Sequence, residues 1–328
     1  MFYVCSWDIV VEKTPFGVFL DKREQSGFDL LTVSETSHDP PSGGEDVDII
    51  NHPEKLALEA TSINQNFSQQ VLLDSDREAA GTRKNYEPNP FFDASEEGVQ
   101  PASVAYRYRK FTLGEVKLVT RCELHAWTLK KTGSEGGKAT EQLVNVHALN
   151  EWDSKLSGGV NWRMKIDQQR GAVLATELKN NSCKLAKWTA QSLLSGADQL
   201  KLGYVSRVVN TNAHEHLVLA TQTVKPKDFA AQINLNHNNV WGIIKMITEL
   251  LLSKEDGQYV LLKDPNKAIV RMYAIPAGEL DEDDDEEEDD DEGDDDKDEN
   301  ADSDDADKVD ESNPESVRGA AAPAAAAV

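Results

Sequence analysis

Cysteine is scarce in this sequence, and its three copies, Cys5, Cys122 and Cys183, are widely separated. An odd number of distant cysteines without a Cys-x-x-Cys pair excludes a disulfide framework and a cysteine-based zinc site. No apolar run is long enough to span a membrane, and no charged-then-apolar leader precedes the first strand pattern. We therefore predict a reduced, soluble, cytoplasmic protein that uses no cofactor.

Basic residues are outnumbered, but the imbalance is confined to one end of the chain. The 328 residues carry a formal net charge of −25, and positions 281–328 hold 24 acidic residues against three basic ones. The preceding positions are close to neutral, so the body of the protein remains compatible with an anionic ligand. Like charges repel and almost nothing apolar is available to bury, so residues 279–328 are predicted to be a disordered acidic tail. Such a tail either solubilises the protein or docks a basic partner.

Residues 1–278 are predicted to form one α+β domain in which strands outnumber helices. Strands adjacent in sequence imply largely antiparallel pairing within one large sheet system. A segment rich in proline, glycine and acids, 37–53, is predicted to be a long loop insertion. The predicted strands are 2–11, both ends of 16–36, 102–114, 116–124, 142–149, 171–178, 200–209, 216–224, 257–263 and 268–274. The predicted helices are 53–71, 162–169, 182–195, 226–233 and 238–252.

One predicted strand carries two tyrosines and two arginines on opposite faces. The alternation places Tyr106 and Tyr108 together and Arg107 with Arg109. Arginine offers a two-pronged donor that suits phosphate, and the tyrosine face is able to join a core. We therefore expect the two arginines to contact RNA phosphates. The alternative is a solvent-exposed strand face without a ligand.

A Glu-x-Lys triplet, Glu177-Leu178-Lys179, closes the predicted strand 171–178. Several nuclease families build metal sites from such a triplet, because carboxylates hold divalent ions that activate water and lysine stabilises developing charge. One triplet is also ordinary surface composition, so its surroundings decide the interpretation.

These surroundings, "ELKN" with "KLAKWTAQSLLSG" and "KLGYVSR", resemble the DXO-type decapping exonuclease family. The resemblance implies a β-sandwich flanked by helices, with active-site positions at Glu123, Glu177, Lys179 and Gln191. Where that family carries two further carboxylates, this chain has Ser68 and His125. Neither supplies the charged oxygen ligand that magnesium prefers. We therefore predict a vestigial cleft without a metal ion, and retain a metal-dependent RNA 5′-end exonuclease or decapping enzyme as the alternative.

A closer resemblance, along nearly the whole chain, is to the cap-binding subunit family of eukaryotic translation initiation factor 3. The motifs that carry it include "SWDIVV", "FDLLTVSET", "INQNFSQQ", "SVAYRYRKF", "LNEWDSK" and "QRGAVLATELKNNS". The resemblance implies that residues 1–278 bind the 7-methylguanosine cap of mRNA without being an enzyme. It also implies that the partners are capped mRNA, the other subunits of the factor and the small ribosomal subunit. The loop 37–53 matches an insertion that covers the RNA channel in that family.

Cap-binding positions carried over from the resemblance are Val4, Cys5, Thr61, Asn64 and Gln65. Family members often have tyrosine at the position of Cys5 and histidine at that of Gln65, so the pose of the base is expected to differ here. The alternative for the last three positions is a solvated helix stripe, since they follow i, i+3, i+4 spacing. Lys184 and Lys187 share a helix face with Gln191, and we predict that both lysines extend the RNA path.

Overall fold

The described residues form sixteen helices and strands, and their mixture is that of an α+β protein. The protein is represented by a computed structural model that describes residues 6–23, 30–38, 41, 49–73, 84, 86–87, 105–131, 139–157, 159–264 and 266–276. These residues all fall within a unit spanning 1–280. Val4, Cys5, most of the loop 37–53 and the tail from 279 lie outside the described residues, so the predictions made for them stay predictions.

The elements confirm the α+β class, with largely antiparallel strands and flanking helices. None of the described helices is both long and apolar enough to cross a membrane. The strands are β1 Trp7–Thr14, β2 Gly17–Asp21, β3 Ala105–Leu113, β4 Val116–Leu124, β5 Ala126–Lys131, β6 Ala139–Glu151, β7 Gln199–Arg207, β8 His216–Val224, β9 Gly257–Lys263 and β10 Val270–Ile275. The helices are α1 Pro53–Gln70, α2 Trp162–Lys165, α3 Arg170–Asn180, α4 Ser182–Ser195, α5 Pro226–Gln232 and α6 His237–Leu252.

The strands divide into three sheets, so the expectation of one large sheet system is wrong. One sheet has the order β10-β9-β1-β2, β3 and β4 form a two-stranded ribbon, and the central sheet has the order β5-β6-β7-β8. All described pairs are antiparallel except β6 with β7, whose connection runs through α2, α3 and α4. Helix α4 contacts β3, β4 and β7. It therefore lies between the ribbon and the central sheet.

The predicted strand 171–178 is wrong, because this segment belongs to helix α3. Val173, Leu174 and Glu177 are all buried, which is the i, i+1, i+4 spacing of a helix face rather than alternation. The second strand predicted within 16–36 is also absent from the described residues 30–36, which run as a loop. Strand β5 was not predicted. The predicted helix 162–169 contracts to the single turn of α2.

The central sheet is buried on both faces by helices. Leu149 of β6 and Tyr204 of β7 belong to a cluster with Trp188 of α4. On the opposite face, Phe67 of α1 packs in a cluster with β6 and β7. A Cβ atom at Gly203 would lie 2.3 Å from the Phe67 ring, so glycine is what allows α1 to approach the sheet so closely. The long strand β6 is thus held between α1 and α4.

Candidate functional site

Where the pairing of β5 with β6 ends, two side chains accept hydrogen bonds from backbone amides of β6. Strand β5 pairs with β6 only up to Val144. Beyond that point the backbone amide of Val146 donates to His125 Nδ1 at 2.9 Å, and that of Ala148 donates to Asn64 Oδ1 at 3.0 Å. Each side chain satisfies a buried donor that would otherwise lack an acceptor. Asn64 of α1 and His125, which follows β4, are therefore fixed at the same edge.

His147 of β6 lies beside these two residues in a defined protonation state. Asn64 Oδ1 already accepts a backbone hydrogen, so the 3.3 Å contact between it and His147 Nδ1 requires the ring nitrogen to donate. Burial lowers the pKa of His147 well below its usual value, and electrostatic interactions with His125 and Lys187 lower it further. The ring is neutral near pH 7. Its Nε2 is a buried acceptor without a hydrogen-bond partner in the described part of the chain.

Aromatic rings and a cation surround this histidine. The His147 ring stacks on the buried indole of Trp188, with centroids 4.6 Å apart and planes at 5°. The His125 ring meets His147 edge-on at 5.1 Å. Lys184 Nζ lies 5.9 Å from the centre of the Trp188 ring. We call Asn64, His125, His147, Lys184 and Trp188 the β6-edge cluster.

Two predicted residues border the β6-edge cluster without belonging to it. Glu123 Oε1 lies 3.5 Å from His125 Nε2, and the hydrogen bond from this ring lowers the pKa of Glu123. Lys187 is exposed on α4, close enough to His147 to affect its pKa. The cluster therefore offers a rim with one carboxylate and one exposed ammonium group around a neutral aromatic centre.

The loop 30–36 ties α1 to the start of α4 rather than forming a strand. The Leu31 amide donates to Thr61 Oγ1 at 2.8 Å. Glu35 Oε1 accepts from the Lys184 amide at 2.6 Å, so a carboxylate stabilises the first turn of α4. Thr61, predicted to contact the cap, thus holds this loop in place. Gln65, one turn further along α1, is exposed.

The two charged side chains of the Glu-x-Lys triplet, Glu177 and Lys179, point to different sides of α3. Side chains two positions apart on a helix point about 200° apart, so Glu177 and Lys179 cannot face one metal ion as they would on a strand. Glu177 is buried, accepts from Asn181 Nδ2 at 2.7 Å, and has its pKa raised to about 7, chiefly by burial. Lys179 and Gln191 are exposed. The described residues contain no group of three or more His, Cys, Asp or Glu side chains placed to hold a metal ion.

The arginines of β3 face the protein, which reverses the expected orientation of this strand. Arg107 Nη1 donates to the Ser195 carbonyl at 3.2 Å, and Arg109 Nη1 donates to the Leu194 carbonyl at 2.6 Å. Both guanidinium groups therefore satisfy carbonyls at the C-terminal end of α4, where a cation is favourable. Tyr106 and Tyr108 are exposed instead of joining a core.

A separate cleft of about 830 Å³ lies between α1 and the β7–β8 hairpin. At one wall, Glu59 accepts from Arg207 Nε at 2.8 Å and from Arg207 Nη2 at 2.5 Å, and lies 2.8 Å from His216 Nε2. Arg207 of β7 and Glu59 of α1 are both buried, so the pair ties the hairpin to α1. Sequence analysis missed this pair because its members are 148 positions apart.

His147 was also missed, although the sequence carried a signal for it. Asn145 and His147 interrupt the apolar run of β6, and polar residues in a buried strand usually have specific partners. Their partners lie on α1 and α4, far away in sequence, so the pattern alone could not identify them.

Comparison with known proteins identifies the family to which this site belongs. A family model described as eukaryotic translation initiation factor 3 subunit 7 matches residues 3–274. The chain belongs to this family. The D-1 subunit of the same factor from Drosophila mojavensis is 53% identical over 282 residues, which are 86% of this chain and 48% of that protein. The D-1 subunit from Drosophila pseudoobscura pseudoobscura is 52% identical over the same shares of both chains. The chain thus spans about half the length of these relatives.

Solved structures with a similar fold are those of Rai1 proteins. The Rai1 of Scheffersomyces stipitis, in complex with (3′-NADP)+ and calcium ion, is 13% identical with a TM-score of 0.48, covering 84% of this chain and 63% of that one. Candida albicans Rai1 in complex with pU5-Mn2+ is 11% identical with a TM-score of 0.47, covering 85% and 66%. Likenesses of this size assign no function to the chain. The family whose model matches residues 3–274 is one of translation initiation factor subunits.

Proposed function

We propose that this initiation-factor chain binds the 7-methylguanosine cap and the 5′ end of mRNA and leaves the RNA uncut. One observation supports the proposal more than any other. Helices α1 and α4 each bring predicted RNA-binding residues, Asn64 and Lys184, to the same end of β6. Stretches 120 residues apart in sequence therefore meet around one aromatic centre.

The chemistry of the β6-edge cluster fits the demands of a cap. A methylated guanine is positively charged and favours aromatic surfaces and acceptors, while its phosphates need cations. The exposed Lys187 supplies positive charge close to His147, while the buried Lys184 Nζ lies 5.9 Å from the centre of the Trp188 ring and has its pKa lowered by burial. The Nε2 atom of His147 is a buried acceptor without a hydrogen-bond partner among the described residues, so direct ligand contacts fall to the rim of the cluster. Gln65 is exposed one turn along α1 from Thr61, which accepts from the Leu31 amide of the loop 30–36.

The same arrangement disfavours hydrolysis. Burial raises the pKa of Glu177 to about 7, which disfavours the charged carboxylate that a metal ion needs as a ligand. Lys179 lies on the other side of α3, as its exposure shows. The vestigial positions Glu123 and Gln191 are exposed, whereas the Glu177 carboxyl is buried. We infer that the cleft still binds RNA but no longer catalyses its hydrolysis.

The remaining parts of the proposal extend to residues and partners outside the described structure. Val4 and Cys5 complete the cap site, and the loop 37–53 covers the RNA. The other subunits of the factor and the small ribosomal subunit are the protein partners, in the cytoplasm. Arg107 and Arg109 contribute indirectly, because their guanidinium groups hold the end of α4.

Crosslinking tests the proposal directly. RNA labelled only at its cap phosphate is irradiated with the full chain, with and without free cap analogue, in magnesium or manganese. We expect crosslinking that the analogue abolishes, and at least fivefold less crosslinking in Lys187→Ala. The matched control is Lys227→Ala, which removes an exposed lysine from α5. Crosslinking indifferent to the analogue would refute cap recognition. Metal-dependent release of label that disappears in Glu177→Gln would establish a nuclease instead.

A further inference from the structure

The β3–β4 ribbon has an outer face that is exposed in the described part of the chain. Apart from the half-exposed edge at Arg107, exposed residues along both strands alternate with half-buried or buried ones, as expected for a ribbon packed on one side. The outer face is formed by the exposed residues Tyr106, Tyr108, Lys110, Thr112, Lys117, Val119, Arg121 and Glu123.

The inner face explains why the tyrosines are left outside. Phe111 packs against Trp241 of α6, with ring centroids 5.0 Å apart, and Cys122 and Leu124 are buried. Arg107 and Arg109 hold the end of α4. The ribbon is therefore anchored without its outer face. Tyr106 and Tyr108 remain 52% and 68% exposed.

The charge of the outer face sets it apart from the rest of the chain. It carries three cations, Lys110, Lys117 and Arg121, against the single carboxylate of Glu123, whereas residues 1–280 as a whole are close to neutral. The Arg121 guanidinium lies 5.5 Å from the centre of the Tyr106 ring. Aromatic rings interleaved with cations on an open strand surface are the pattern that stacks bases and attracts phosphates.

We propose that this face, the ribbon platform, binds single-stranded RNA. Same-face side chains repeat about every 7 Å along a strand, so Tyr106 and Tyr108 offer rings to two neighbouring bases. Arg121 and the two lysines hold the phosphates beside them. RNA fits better than a protein partner, because the centres of protein–protein interfaces are depleted in lysine.

The ribbon platform continues from the β6-edge cluster. Tyr106 pairs with Glu123 across the ribbon, and Glu123 contacts His125 of the cluster. RNA held by its 5′ end at the cluster would therefore pass onto the tyrosines. This path rests on the proposed cap-binding function, but the affinity of the platform for RNA does not.

The test uses the full 328-residue chain and an uncapped, fluorescent single-stranded RNA of mixed sequence. Anisotropy at several salt concentrations gives Kd. We expect the double variant Tyr106→Ala with Tyr108→Ala to bind about tenfold or more weakly, and the corresponding double phenylalanine variant to bind within about twofold of the parent. Tyr273→Ala, which removes a 48% exposed tyrosine from β10, should leave Kd unchanged. Lys110→Ala should lower the slope of log K against log salt by about 0.7.

The outcomes separate this proposal from cap recognition. An unchanged Kd in the double alanine variant would overturn the platform, whatever the crosslinking shows. If that variant keeps its affinity for RNA but no longer retains other initiation factor subunits in a binding assay, the face docks protein and the proposal is wrong. The double alanine variant could bind uncapped RNA more weakly while cap analogue fails to reduce labelled-cap crosslinking. That result would support the platform and refute the cap site.

Discussion

The imidazole of His147 lies flat against the indole of Trp188, with their centroids 4.6 Å apart. The contact joins β6 to α4 through two buried rings. Because Asn64 holds the other side of His147, the ring cannot turn without breaking contacts to both helices. The centre of the candidate site is therefore part of the protein core, and only its rim is free to adapt to a ligand.

Replacing Asn64 by alanine should destabilise the protein by about 1–3 kcal/mol, because the buried Ala148 amide loses its acceptor. Urea unfolding followed by circular dichroism measures the change. Asn66→Ala, on an exposed position of the same helix, serves as the control and should stay within about 0.5 kcal/mol of the parent. Equal effects of the two substitutions would show that the edge contact does not stabilise β6.

Glu177→Gln should stabilise the protein at pH 8 but not at pH 5. The folded-state pKa of about 7 exceeds the ordinary value of 4.5, so the folded protein binds the proton more tightly. Stability therefore falls as pH rises from about 4.5 to 7, and the full penalty is present above that range. Glutamine removes the penalty, which amounts to at most about 3 kcal/mol. Thermal unfolding of both proteins at the two pH values measures it; a gain independent of pH would contradict the assignment.

Glu59→Gln should be among the most damaging single substitutions of the cleft wall. It leaves the buried Arg207 guanidinium without its charge partner, and such losses cost about 3–5 kcal/mol. Glu249→Gln, which breaks the exposed pair with Lys245 on α6, should cost less than about 1 kcal/mol. Denaturant midpoints compare the two variants. A small loss at Glu59 would mean that water readily reaches Arg207.

Arg109→Ala and Arg121→Ala should separate stability from RNA binding. Arg109 donates to two carbonyls of the last turn of α4, at 2.6 and 3.2 Å, so its loss should cost about 1–3 kcal/mol. Arg121 lies on the ribbon platform, and its loss should change stability by less than about 0.5 kcal/mol while weakening binding of uncapped RNA. Unfolding curves and anisotropy on both variants are the measurements. If Arg109→Ala weakened RNA binding and Arg121→Ala lowered stability instead, the arginines of β3 would face solvent, as first expected.

Much of the fold was predictable because local patterns and packing agree. Helix α4 has an apolar stripe at helical spacing and ends at Gly196, which adopts a left-handed conformation with φ of 69°. The strands β4 and β8 matched their predicted ranges, since alternation there follows one-sided burial. Strand β6 was predicted only in part, because it is buried on both faces over much of its length and so lacks the alternation that marks a strand.

The wrong predictions concern segments whose sequence pattern allows two structures, so that packing decided between them. The segment "AVLATEL" suits either a strand or a helix by composition, and the burial of Val173 with Leu174 decided for a helix. That one change places Lys179 and Glu177 on different sides of α3. Likewise, "YRYR" alternates in the same way whichever face is buried. The arginines face inward because carbonyls at the end of α4 accept their hydrogen bonds.

The sequence by itself determined the family, the segregated acidic charge and most of the helices and strands, because these depend on composition and short-range periodicity. Only the tertiary structure decided that Asn64, His147 and Trp188 meet, that Glu177 is buried, and that Tyr106 and Tyr108 face solvent. The reason is physical: a local pattern fixes which residues share a face, whereas the elements packed against that face decide whether it is buried.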